Sequence, residues 1–370
     1  MNRRPQKSRS SFDSFSPRHV AHFKVSSPDT DFFESPKKRS AGCTVLLALL
    51  ALVLLTLLGN LLVNQFVWVR TAIVPVKGLV EAFDGFTILQ ISDLKGARFG
   101  REQSRLAAAL KKRPFDLVVL TGDMVSPDGD AQPLYALLDR LAEIAPGVPV
   151  CFIAGDSDPE PASLDHAANG SPLAPWVLGA QARGATLLSS PWHIERDGQT
   201  LWLTTSAHLN LDIDTMLPQF ESSYQRALAD GDSAALSLAA YNLGWLEATR
   251  EARAQMGEND VYIAAAHVPP TDNDLGGALT GRIDLLLSGH YLGGLMCLPS
   301  IGPVFVPSQS LPLYGLLPGA DTCVGLSRSG QTWIYVSGGL GASDPLYPSF
   351  FFRLFNPPSV TLLSLSMSTM

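Results

Sequence analysis

From Phe86 to the end of the chain, two patterns of apolar residues alternate. The runs FTILQIS, FDLVVLTGD and VPVCFIAGDSD are short and nearly all apolar, whereas REQSRLAAALKKR, PLYALLDRLAEI and PWVLGAQARG repeat their apolar residues at helical spacing. Short wholly apolar strands separated by amphipathic helices are what a sheet covered on both faces requires, so the pattern predicts a layered α/β fold. ATLLSS, WHIERD and TLWLTTSA, joined by turns, read as antiparallel strands. A helix is expected over about 234–257, with Leu236, Leu238, Tyr241, Leu243 and Leu246 on or near one face. Strands return in DVYIAAAHVPP, RIDLLLSGHYLGG, GPVFVPS, QTWIYVSGG and PSVTLLSLS. This order predicts two packed sheets flanked by helices in one domain, residues 86–370, without an internal repeat.

The longest apolar run lies ahead of that domain. AGCTVLLALLALVLLTLLGNLLV has no charged residue, and none occurs between Arg39 and Arg70. A helix of this length crosses a hydrocarbon core of ~30 Å. The segment before it is too long for a cleaved signal peptide, and no A-x-A-like site follows it. Basic residues crowd its N-terminal side, which predicts a cytoplasmic N-terminus and a C-terminal domain outside the cell membrane. The expected division is a disordered basic cytoplasmic tail over 1–40, a transmembrane anchor over 41–69, a linker over 70–85, and the domain.

Charge narrows the choice of partners. Residues 1–40 carry a net +5 while the whole chain carries −7, so the remainder carries −12. An acidic body repels a phosphate backbone, which argues against nucleic acid. An anionic ligand must instead be drawn by a local site. Of the four cysteines, Cys297 and Cys323 fall in later loops, and the sequence leaves open whether they are bonded or free.

Five strand ends carry the polar groups: Asp93 in SDLKG, Asp123 in TGDMV, Asp156 in AGDSD, His267 in AAHVPP and His290 in SGHYLGG. Ligands gather at the carboxyl ends of strands in α/β proteins, and Gly122, Gly155 and Gly289 allow the tight backbone that aims a side chain there. Carboxylates with imidazoles suit a borderline divalent ion such as Mn²⁺, Fe²⁺ or Zn²⁺. Two residues after Asp93 stands Lys95. If the strand persists that far, both side chains share one side.

The series resembles the calcineurin-like metallophosphoesterases, whose pattern is D-x-H, G-D, G-N-H-[DE], H and G-H-x-H. PSIGPVFVPSQ, WIYVSGGLG and RLFNPPSVTLLSL extend the resemblance to the membrane-anchored bacterial branch. It implies a four-layer fold of two mixed sheets packed face to face, and a phosphoester hydrolase using two ions. The departures coincide. At the first ion's positions stand Asp93, Lys95, Asp123 and Leu292, two of which cannot ligate. At the second ion's positions stand Asp123, Asp156, His267 and His290, all of which can. The histidine that helps protonate the leaving group in the family is replaced by Ser157, and a hydroxyl is no acid near neutral pH.

The resemblance therefore implies one divalent ion, a second site lost, and hydrolysis weak or absent. The alternative is a pseudoenzyme that binds a ligand or protein at the outer membrane surface. Three carboxylates, one divalent ion and Lys95 balance to zero, so such a site draws phosphate less strongly than a two-ion centre. Lys95 is expected either to stand in for the lost ion, between Asp93 and Asp123, or to reach past a turn to water. A phosphoester or a lipid headgroup is the expected ligand.

Overall fold

The computed structural model describes residues 41–270, 282–294, 296–298, 301–306, 315–318, 323–342 and 353–367; the tail expected over 1–40 lies outside them. The chain divides into two units, Met1–Val53 and Leu54–Met370. Helix α1 (Ala41–Val63) bears no charge and is long and apolar enough to cross a membrane.

In the second unit the described strands form two six-stranded sheets and a separate hairpin. Its first sheet runs β1 (Trp68–Pro75), β14 (Ser359–Ser366), β2 (Thr87–Ile91), β3 (Leu117–Thr121), β4 (Val150–Ile153), β5 (Ala185–Leu187). All neighbours are parallel except β14 against β2. The second sheet runs β12 (Gly325–Ser329), β13 (Thr332–Val336), β9 (Leu285–Ser288), β8 (Val261–Ala266), β7 (Gln199–Thr205), β6 (Trp192–Arg196), with its central strands parallel and an antiparallel pair at each edge.

Alternation within the strands explains the layering. Ile88, Leu117 and Val119 turn inward and pack with Leu201, Leu203, Ile263, Leu285 and Leu287 of the facing sheet. Leu89, Ile91, Val118 and Leu120 turn outward against α2 (Ser104–Leu110), α3 (Gln132–Ile144) and α5 (Pro175–Gln181). On the far face, Trp202 and Tyr262 pack against Ala252 of α8 (Ser233–Gln255). The result is helix, sheet, sheet, helix. Each such aliphatic side chain taken fully from water contributes about 1.5–3 kcal/mol, so the inter-sheet and sheet–helix layers together hold the fold. Gln90 sits inside that layer and donates to the Ser288 carbonyl at 2.8 Å, tying the sheets together beside the strand ends.

Two local expectations need correction, and one helix was not foreseen. The segment 70–85, expected as a linker, belongs to the domain: β1 pairs with β14 along its length, and Phe83 is fully buried. Its partner is the last strand of the chain, a pairing that no local pattern announces. ATLLSS does not join an antiparallel set, because β5 extends the first sheet in parallel beside β4. Helix α7 (Ile213–Asp230), which pairs with α8, was masked in the sequence by Pro218 within it. Cys297 and Cys323 are free thiols.

Candidate metal centre

Strand β2 ends at Ile91, so Asp93 and Lys95 do not share one side of a strand. Both lie in left-handed backbone, at φ 54° and 46°. Asp123, His290 and Leu292 do the same, at 55°, 70° and 56°. Non-glycine residues in this region cost on the order of 1–3 kcal/mol each and persist where the surroundings over-determine them. Lys95 and Leu292, which cannot ligate, thus keep the strained backbone of the residues that can.

The strain is held by hydrogen bonds between loops. Asp93 N donates to the Gly122 carbonyl and Lys95 N to the Asp123 carbonyl, while Leu340 N and Gly341 N donate to the carbonyls of Ser92 and Asp93. Asp158, the last residue of GDSD, accepts from Val125 N at 2.7 Å and Gly155 N at 2.9 Å. Gly155 has to be glycine, because a Cβ there would fall 2.1 Å from Asp123 Oδ1.

These loops bring all five strand-end residues into one cluster. His267 Nε2 lies 2.9 Å from Asp156 Oδ1 and 3.1 Å from Asp123 Oδ2. His290 Nδ1 lies 3.5 Å from Asp156 Oδ2 and 3.3 Å from His267 Nε2. One ligand atom each from Asp156, His267 and His290 fall within 4.8 Å of one another, and so do atoms of Asp93, Asp123 and His267. The first group opens to solvent through Asp156, whereas the second is wholly buried.

Lys95 occupies the second group's neighbourhood. Its Nζ lies 2.7 Å from Asp123 Oδ2 and donates to Ser157 Oγ at 3.2 Å. Ser157 donates twice to the same carboxylate, through N to Oδ1 at 2.9 Å and through Oγ to Oδ2 at 3.0 Å. The expected bridge between Asp93 and Asp123 is not made. Asp93 Oδ2 is turned away by Ser92 Oγ at 2.6 Å and His290 N at 3.1 Å, and among the described residues Asp93 Oδ1 has no hydrogen-bond partner.

Charge states follow from these contacts. Burial opposes ionisation of Asp123, but hydrogen bonds and charges from His267 and Lys95 outweigh it and hold the carboxyl far below the usual range. Burial would lower His267; its hydrogen bonds to Asp123 and Asp156 instead raise it to about 11. Lys95 is likewise held charged against burial by Asp123 and Asp93. Burial pushes Asp93 up.

The first group fits a divalent ion. His267 Nδ1 lies 2.9 Å from the Thr121 carbonyl, and a proton donated there leaves Nε2 as the ligating nitrogen, which is the usual support for a metal-bound imidazole. Two nitrogens and an oxygen with an open side suit Mn²⁺, Fe²⁺ or Zn²⁺. In the buried group the Lys95 ammonium lies against Asp123 Oδ2, one of the atoms a second ion would need.

The sequence reading did not find Arg353 and Asn356. Arg353 is buried and donates to the carbonyls of Gly338, Gly341, Leu292 and Asn356, and Asn356 donates to those of Leu292 and Gly294. Together they fix the loop after His290. Their signal was the polar pair within the otherwise apolar RLFNPP.

The sequence profile of calcineurin-like phosphoesterases matches residues 86–293. A search of curated proteins finds no match. Among solved structures, a phosphopantetheinyl hydrolase from Mycobacterium tuberculosis is similar at 12% identity and a TM-score of 0.33, over 70% of this chain and 91% of that one. That likeness is too distant to bear on the chemistry of the site.

Proposed function

The chain belongs to the calcineurin-like phosphoesterase family, and from that premise we propose that it is a membrane-tethered phosphoester-binding protein that holds one divalent ion and hydrolyses slowly. The observation that carries this reading is the 2.7 Å ion pair of Lys95 with Asp123, which puts a fixed cation where the family places a second ion. Asp156, His267 and His290 would hold the remaining ion beside Asp123. When bound, the ion supplies the positive field that draws a phosphoester oxygen and polarises phosphorus.

The chain's own residues set the limits of the chemistry. Lys95 is spent on its ion pair with Asp123, so its charge neutralises that carboxylate rather than clamping phosphate. Ser157 is engaged with Asp123 and Lys95 and has no proton to give a leaving group near pH 7. Asp156, half exposed, forms the side from which a ligand enters. Helix α1 tethers the domain, with its N-terminus cytoplasmic and residues 64–370 outside, so the ligand is a phosphoester at the outer membrane surface.

Ser157 also favours a second reading, a binding module with no turnover. Hydrolysis of bis(p-nitrophenyl) phosphate with Mn²⁺ by the full chain in nanodiscs decides between the two. Slow turnover that Asp156→Ala abolishes supports the enzyme. Turnover equal to that of the variant supports the binding module.

A further inference from the structure

Two charge-free stretches of this sequence both reach the segment 353–355. The first runs from Ser40 to Val69 and includes α1. The second runs from Tyr291 to Ala320 and begins directly after His290. Thirty residues without a charged side chain is unusual in an acidic domain, and among the described residues of the stretch only Tyr291, Leu292 and Val306 are large apolar side chains that are buried. Its hairpin, β10 (Met296–Leu298) with β11 (Gly302–Phe305), lies apart from both large sheets.

The described part of this stretch exposes large apolar side chains. Ile301, Leu316 and Leu317 are each more than half exposed, and Phe305 is more than a third. Hydrogen bonds lock them together: Phe305 bridges Leu316, and Leu317 N donates to the Val304 carbonyl. A monomer in water rarely leaves such a contiguous patch uncovered.

The patch adjoins the exit of α1. Asn60 and Asn64, at the end of that helix, both donate to the Arg353 carbonyl, and Phe355 N donates to Asn60 Oδ1. The next residue, Leu354, forms a bridge with Met296 and accepts from Cys297 N, so the base of the hairpin is joined to the end of the helix. Exposed Phe66, Trp68 and Phe355 surround the junction. Aromatic side chains at a helix exit mark the headgroup level of a bilayer, where a mixed apolar and polar surface is at rest.

We infer that the β10–β11 hairpin, with Phe305, Leu316, Leu317 and Phe355, forms a second membrane contact that rests in the outer leaflet's interfacial layer. The occupant of the patch is the lipid surface itself. This deepens the proposed function and rests on its membrane tether: the chain that carries His290 runs through Gly293 and Gly294 into the hairpin, so the metal centre is held close to lipid headgroups.

The test places an environment-sensitive NBD label at Ile301→Cys or, independently, Leu317→Cys, in full chains with Cys43 and Cys297 replaced by serine. The chains are set in nanodiscs containing nitroxide-labelled phosphatidylcholine. Asp197→Cys, in the β6–β7 turn at the opposite end of the second sheet from the metal centre, serves as the control. The expected result is blue-shifted emission from both patch positions, quenched at least twofold by the nitroxide lipid, with the control unaffected. Emission equal to the control at both positions would overturn the inference. So would a blue shift without lipid quenching, since a second protein surface would then be the cover. Metal content measured on the same samples reports separately on the proposed function.

Discussion

Lys95 Nζ and Asp123 Oδ2 lie 2.7 Å apart, with Asp123 fully buried and Lys95 nearly so. A pair this far from water is costly to break from one side, because the partner is left as an uncompensated charge. Both residues lie in left-handed backbone, which costs a non-glycine residue on the order of 1–3 kcal/mol.

Lys95→Ala should therefore destabilise the metal-free protein by on the order of 3–5 kcal/mol, read from denaturant melts at pH 7. A variant that binds one ion and melts like the parent would remove Lys95 from its role as substitute cation.

Restoring the family pattern should restore the second ion. In Lys95→His with Leu292→His, both new imidazoles enter positions already in left-handed backbone, and the ammonium is gone. Metal content should rise by one ion per chain, with a gain in diesterase turnover.

Ser157→His supplies the missing proton donor beside Asp123. General acid catalysis contributes typically 10²–10⁴-fold, so turnover should rise by about 10²-fold at neutral pH, with a pH profile falling on the alkaline side. An unchanged rate would mean that protonation of the leaving group does not limit the reaction.

Metal binding should depend on pH with a definite sign. In the metal-free site His267 is held protonated, up to about 11, by Asp123 and Asp156 against the opposing effect of burial. That ion pair stabilises the metal-free protein fully below the ordinary histidine range and fades as pH rises through about 11. A metal must displace the proton, so its apparent affinity should rise about tenfold per pH unit between 7 and 9. Calorimetry in buffers of different ionisation enthalpy should count about one proton released per ion.

His208 gives an independent test of the fold around α8. Burial, aided by Arg253, lowers its pKa to about 4, so the native state keeps it neutral while the unfolded chain takes up a proton. Stability from this group is thus present above about pH 6.5 and lost as pH falls toward 4, by up to about 3 kcal/mol. The difference between the parent and His208→Phe in melts at pH 7 and pH 5 isolates it.

Much of this was legible in the chain itself. The β, α, β, α, β rhythm and the wholly apolar strands gave the layers, because each strand's environment is set by its own pattern. Asp123, Asp156, His267 and His290, singled out by type and by position at strand ends, lie together in the structure. What escaped was non-local. The pairing of Trp68–Pro75 with the last strand depends on residues nearly three hundred positions away, and so does the tie between Asn60 and Arg353. The partner of Lys95 turned on whether the strand persisted past Ile91. A left-handed turn there directs the ammonium to Asp123 and Ser157 and leaves Asp93 Oδ1 unpaired.

The count of metal ions in the purified full chain tests the central claim most directly. After equilibration with Mn²⁺ or Zn²⁺ and removal of free metal, elemental analysis should give one ion per chain, falling to none in His267→Ala. Two ions per chain would contradict the account, because the ammonium of Lys95 would then not have taken a metal's place.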